Sequence, residues 1–387
     1  MAVAQAESPG LSRFVLPIGG LIGLGLCVAG ILVLYDPHGG PNLLASIYEA
    51  FGNTSGATDL RNGQGDQVIA KLLLAVIALV VGVGGIWLVF VGVGGLVSLL
   101  PGKWRDRILP WVFAGPALAL LAVFLVYPAA GTILRSFQDD KGQFTLANFA
   151  VMVEPEFTQI LRNNAIWLIV GTGVSVMLGL IFAGLFDRVR REALAKTIVF
   201  LPLAISLVGA SVIWGFVYAW QPAGQPQIGL LNAVVVGLGG KPIPWLTTSP
   251  INIFCEIAIM IWLQTGFAMV VFSASIKGVS GEVIEAARLD GASERQLFLR
   301  VIVPMIRGSI VTVSTTIAII TLKIFDIVYV TTGGRFGDDV VANRMFHEIF
   351  QFFEDGRGAA LATLLFIAVL PVMYINLRNF KRQQVEA

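Results

Sequence analysis

The chain has 387 residues, of which 56% are hydrophobic and only 13% charged, and its mean hydropathy is +0.82. Soluble domains carry roughly 25% charged residues, so this apolar surplus calls for a lipid-facing surface. The net charge of +2 argues against a nucleic-acid partner. Two cysteines, Cys27 and Cys255, leave no disulfide framework, and the distant His38 and His347 make no metal-ligand set.

Taken in chain order, the apolar runs predict an all-α, polytopic transmembrane bundle of about eight spans. They lie near 14–35, 69–99, 110–134, 164–186, 197–220, 251–276, 306–328 and 358–378. The first run is about 20 residues long and has no small-residue cleavage site before Asp36, so it reads as a span and not as a cleaved signal. The second is longer than a bilayer needs, and Gly82, Gly85, Gly92 and Gly95 suit close helix packing. With the N-terminus inside, Lys and Arg are about twice as frequent in the inner segments as in the outer ones. Both termini are therefore expected in the cytoplasm. The outer loops, near 36–68, 135–163, 221–250 and 329–357, are rich in Gly, Pro, Asn and acidic residues.

The inner segment Lys277–Arg307, KGVSGEVIEAARLDGASERQLFLRVIVPMIR, is charged yet has helix logic. Ser280 is expected to cap a helix with Glu282 in its first turn. That helix carries Glu285, Ala286, Ala287, Arg288 and Asp290 and ends at Gly291. Ser293 opens a second helix, with Gln296 three residues on as a capping box requires. Pro304 marks the start of the next span. The small side chains of Ala286 and Ala287 let another protein approach the backbone, with Glu285 and Arg288 as charged handles beside them.

Polar groups inside a membrane span are costly and need partners or water. In the sixth span, Trp262, Gln264, Thr265 and Phe267 combine an amide, a hydroxyl and aromatic faces, as a sugar site would. In the seventh, Ser314, Thr315, Thr316 and Thr321 precede Lys323. Hydroxyls on such helices also bond back to their own carbonyls or join helices. Lys323 is placed to pair with Asp326 three residues on, or to reach outward. No G-x-x-x-x-G-K-[ST] occurs, so no phosphate-cradling loop is present.

Glu285-Ala286-Ala287, then Gly291, then nine residues before Val301-Ile302-Val303-Pro304, resembles the EAA loop of bacterial ABC importer permeases. Val301 and Val303 stand where that pattern has Ile and Leu. Phe325–Gly334, FDIVYVTTGG, is similar to a pattern of the carbohydrate-uptake branch, and eight spans resemble the larger permease of maltose-type systems. The enteric type has a large folded insert after the third span, whereas that loop is short here. Val341–Phe346 resembles α-glucoside permeases.

This resemblance implies an N-terminal segment 1–104 with two spans and a six-span permease core 105–387. The loop 278–304 would be a coupling helix for an ATP-binding cassette subunit, with Glu285, Ala286, Ala287, Arg288, Asp290 and Gly291 at the contact. ATP and Mg would sit on that partner, with no cofactor and no catalytic residue on this chain. A second homologous permease and an extracytoplasmic solute-binding protein would complete a complex in the bacterial cytoplasmic (inner) membrane. The pathway would involve Trp262, Gln264, Thr265, Phe267, Thr316, Thr321 and Lys323, and the solute would be a di- or oligosaccharide, an α-glucoside. An ABC permease for a peptide, an amino acid or an osmoprotectant, and an ion-driven secondary transporter, stay open as alternatives.

Overall fold

A computed structural model describes residues 101–386 except Arg188, with side chains as far as Phe380, together with scattered positions among the first hundred. The expected spans at 14–35 and 69–99 lie outside this described part. The described residues form helices and no strand; a lone bridge joins Gln138 and Phe144. Four helices are long and apolar enough to cross a membrane, or six if two bent pairs each count as one span. The chain divides into two compact units, Met1–Pro128 and Ala129–Ala387.

In the first unit the described part of α1 (Gly102–Ser136, which continues into the second unit) buries no residue between Gly102 and Leu121. Its Trp104, Trp111, Phe113 and Leu120 are exposed, and such a surface needs lipid or another protein around it.

The second unit is organised around α6 (Ile251–Lys277), whose 27 residues extend about 40 Å, more than a bilayer core needs. Against it pack α2 (Pro155–Phe186), α3 (Glu192–Ala204) and α9 (Arg307–Leu322). The shared core contains Trp167, Ile257, Met260, Leu263, Met269, Phe272 and Ile317. Small residues set the approach: a Cβ on Gly179 would meet the Met269 backbone nitrogen at 2.9 Å, and one on Gly266 would meet Phe200 Cα at 2.7 Å. The remaining helices are α4 (Leu207–Val217), α5 (Leu230–Gly237), α7 (Gly281–Leu289), α8 (Glu294–Met305), α10 (Asp326–Thr331), α11 (Val341–Phe350) and α12 (Asp355–Glu386).

Two spans read as continuous are not. The fifth, expected over 197–220, bends by 103° between α3 and α4. Pro202 sits in a tight 3₁₀ turn and Ser206 restarts the helix, its hydroxyl accepting from Gly209 N at 3.0 Å. The seventh, expected over 306–328, stops at Leu322, and α10 begins only at Asp326. A 71° bend also separates α8 from α9, just past Pro304, so the proline marks a corner before the span. Hydropathy registers total apolar length, and a bend between two apolar pieces does not change it.

Candidate coupling loop and solute pathway

The loop between α6 and α9 is built from local rules. At the end of α7, Gly291 has φ +82°, where a Cβ is penalised. Its amide donates to Arg288 O and that of Ala292 to Ala287 O, the two-bond closure of a Schellman turn. Ser293 and Gln296 form a reciprocal capping box at the start of α8, with Ser293 N donating to Gln296 Oε1 at 2.9 Å. Arg288 Nε donates to Glu294 Oε1 at 3.1 Å across the turn and ties the two helices together. The expected cap at Ser280 is absent: its side chain accepts no amide of α7.

On this hairpin Glu285, Ala286, Arg288, Asp290 and Gly291 are exposed and Ala287 is half-buried. Leu289 is 89% exposed, which is unusual for a leucine amid charges. Val283, Ala286 and Leu289 recur at helical spacing, so α7 offers a mildly apolar face. Sequence reading passed over Leu289, although its position beside two alanines was a signal.

The expected pathway residues fall into different surroundings. Gln264 is 7% exposed, and its amide makes no hydrogen bond with the described residues. Trp262 stands edge-on to Trp214 of α4, with ring centroids 5.7 Å apart, and Phe267 is half-buried one turn from Gln264. The hydroxyls of Thr265, Thr316 and Thr321 donate to the carbonyls of Ile261, Thr312 and Ile317 at 2.7–2.8 Å. Thr321 is fully buried, faces Thr172 of α2 and packs beside Gly171, so it joins helices. Lys323 is exposed at the C-terminal end of α9, and no ion pair joins it to Asp326. Of the two expectations for Lys323, the pairing with Asp326 is not formed, because the helix breaks over residues 323–325 and the i,i+3 helical geometry is lost.

Away from the coupling loop, the FDIVYVTTGG stretch acts as a strap. Thr331 and Thr332 hydroxyls donate to Glu256 Oε1 at 2.5 and 3.2 Å, which seats a fully buried carboxyl of α6. Gly333 and Gly334 turn the chain at positive φ. The following loop is held by amide side chains that sequence reading did not single out. Gln159 and Asn163 donate to Gly337 O, Asn252 donates to Asp338 Oδ2, and Asn164 accepts from Val341 N. Burial pushes the Asp339 carboxyl up to about 6, against its bonds from Asn343 and Val340 N, and raises Asp338 as well. Burial and then the Arg344 guanidinium lower His347. Beside this strap Glu156, Gln159, Asn163, Arg335, Asp339 and His347 line an open pocket of about 370 Å³. Nearby, Glu154 and the buried Glu348 bind Arg344 and Arg357 and fix α2 to α11 and α12.

Residues 175–382, which include the coupling loop and every pathway candidate, match the family described as the binding-protein-dependent transport system inner membrane component. The chain belongs to that family. It is a multi-pass membrane permease of the ABC importer type, and ATP hydrolysis resides on a separate subunit. The permease is 50% identical over 277 residues to an osmoprotective-compound uptake permease of Synechocystis sp., covering 70% of this chain and 99% of that one. It is 46% identical over 282 residues to an α-glucoside transport permease of Rhizobium meliloti, covering 72% and 84%. Its fold is similar to a chain of a bacterial alginate ABC transporter solved with an alginate-bound periplasmic protein. That likeness has TM-score 0.62 at 19% identity and covers 70% of this chain and 95% of that one.

Proposed function

We propose that the permease forms half of a translocation pathway for a neutral di- or oligosaccharide, an α-glucoside, in the bacterial cytoplasmic membrane. A second, homologous permease supplies the other half, since one chain carries one coupling loop. An extracytoplasmic binding protein delivers the solute. Both termini lie in the cytoplasm, and an ATP-binding subunit docks on residues 278–304 through Glu285, Ala286, Ala287, Arg288, Asp290 and Gly291. Leu289 adds an apolar anchor at that contact.

The observation that carries the solute class is Gln264. Its amide has no hydrogen-bond partner among the described residues, and such a group in a membrane helix calls for water or a solute at its donors and acceptor. Phe267, one helical turn on, offers an apolar face that suits the C–H side of a sugar ring, whereas Trp262, two residues back, packs edge-on to Trp214. The pathway candidates are Gln, Thr and aromatic groups with one Lys rather than a cluster of one charge, which favours a neutral solute. The 46% identical relative is named for α-glucosides and the 50% identical one for osmoprotective compounds. A neutral, highly soluble glucoside satisfies both names, so the two relatives need not point to different chemistries.

The test is ATPase stimulation of the purified complex with its binding protein by trehalose, sucrose, maltose, glycine betaine and a dipeptide. Stimulation by α-glucosides is expected. Stimulation by glycine betaine or the dipeptide alone would overturn the carbohydrate reading.

A further inference from the structure

The turn 187–191 joins α2 to α3 at the same end of the unit as the coupling loop, and its charges are organised. Lys196 of α3 is ion-paired with Asp187, at the end of α2, and with Glu192 at 2.6 Å. It also donates to Ser273 Oγ of α6, and that hydroxyl donates to Asp187 Oδ1 at 2.7 Å. Glu192 holds a second cation, Lys277, the last residue of α6 and the root of the coupling loop. Asp187, Lys196, Glu192 and Lys277 thus alternate in sign along a path from α2 through α3 to that root.

The Glu192 and Lys277 side chains are 32% and 55% exposed, and an ion pair that wet adds little to folding stability. The Lys196 and Asp187 side chains are only 15% and 13% exposed and share a hydroxyl, so the network fixes geometry more than it adds stability. Other contacts converge here. Phe298 of α8 lies over Gly184 of α2, where a Cβ would meet its ring at 2.7 Å. Ser275 donates to Ser309 at 2.8 Å and joins α6 to α9 across the loop.

Helix α3 is therefore attached to α6 at two places. Charge holds it at Ser273 and Lys277, and backbone contact holds Val199 and Phe200 against Gly266. Ser273 and Lys277 lie about 10 and about 16 Å from Gly266 along α6 at 1.5 Å per residue. A two-point attachment removes the hinge that a single contact would leave. Beyond the second point lies the 103° elbow into α4.

We propose that Glu192 and Lys196 are positioning residues that make segment 187–204 move as one body with the coupling loop. The elbow span α3–α4 is then driven together with α6 during the ATP cycle, although it precedes the loop by about 60 residues of chain. This rests on the reading of residues 278–304 as the ATPase docking site.

The experiment uses the full importer complex in liposomes, with Cys27 and Cys255 replaced by serine. Spin labels are attached at Arg190→Cys and Glu282→Cys, and their distance is measured without nucleotide and with ATP and vanadate. One narrow distribution, the same in both states, is expected. Glu192→Gln and Lys277→Met should broaden and shift it, and Lys277→Arg should keep it narrow. A wild-type distance that changes between the two states would overturn the proposal. So would a Lys277→Met distribution indistinguishable from wild type. Lys277 is exposed, so this variant carries the test even if Glu192→Gln assembles poorly. The docking reading fails separately. If Gly291→Val keeps full uptake and full ATPase retention, the loop is not the coupling site, whatever the label distances show.

Discussion

The two serines of the coupling loop show what a single residue can and cannot decide. Both stand before a helical pattern, yet only Ser293 caps. It has Gln296 three residues on, so two orphan donors are satisfied reciprocally. Ser280 has no such partner, and its hydroxyl takes no amide of α7 although its backbone has a non-helical conformation. Within this loop the i,i+3 glutamine separates the serine that caps from the one that does not, although Ser206 caps α4 without one. Ser293→Ala should destabilise the start of α8 by about 1 kcal/mol, and Ser280→Ala should stay within about 0.5 kcal/mol. Hydrogen exchange at residues 294–297 and 281–284 in the detergent-solubilised permease measures both. Equal effects from the two substitutions would remove the distinction. Gly291 was legible for a similar reason, because a chain that turns back after Asp290 needs a residue that tolerates φ +82°.

At the scale of elements, existence was more legible than shape. The helices expected near 164–186, 251–276 and 358–378 are present as α2, α6 and α12, because a long apolar run has few alternatives to a helix. The breaks at Ile205 and Lys323 were not legible from apolar length, although Pro202 and Ser206 mark the first locally. The polar candidates of the spans differ in their surroundings. Gln264 was singled out because an amide in a membrane span stands out. The threonines were named on the same ground, but a hydroxyl can return its proton to its own helix, and Thr265, Thr316 and Thr321 do so. An amide has no equivalent local outlet, which separates Gln264 from them. Gln264→Leu should therefore leave sugar hydroxyls unpaired and cost on the order of 1–3 kcal/mol, about tenfold or more in half-saturating sugar for transport. Thr321→Val keeps the packed shape beside Gly171 and should change that value little. Uptake by the two variants in liposomes provides the comparison, and an unchanged Gln264→Leu would remove it from the pathway.

At the scale of the whole molecule, burial is uneven in a way that anticipates assembly. The most apolar stretch of α6 is 61% buried within the chain, whereas that of α1 is not buried at all. A single chain thus encloses one central helix and leaves long apolar faces for lipid or a second permease. Its orientation rests on charge. On the orientation proposed from Lys and Arg, with the coupling loop inside, the loop between α4 and α6 and the loop between α10 and α12 are expected outside. Asp338, in the loop after α10, is fully buried under Asn252 and the strap, so a cysteine there would not report on the solvent. Gly237 has open space around it and Phe352 is exposed, so cysteines there meet the solvent. In a background with Cys27 and Cys255 replaced by serine, Gly237→Cys and Phe352→Cys should react with a membrane-impermeant maleimide in intact spheroplasts. Glu282→Cys, on the coupling loop, should react only after the membrane is opened. The reverse pattern would place the coupling loop outside, where no ATP-hydrolysing partner could reach it, and the orientation drawn from Lys and Arg would be inverted.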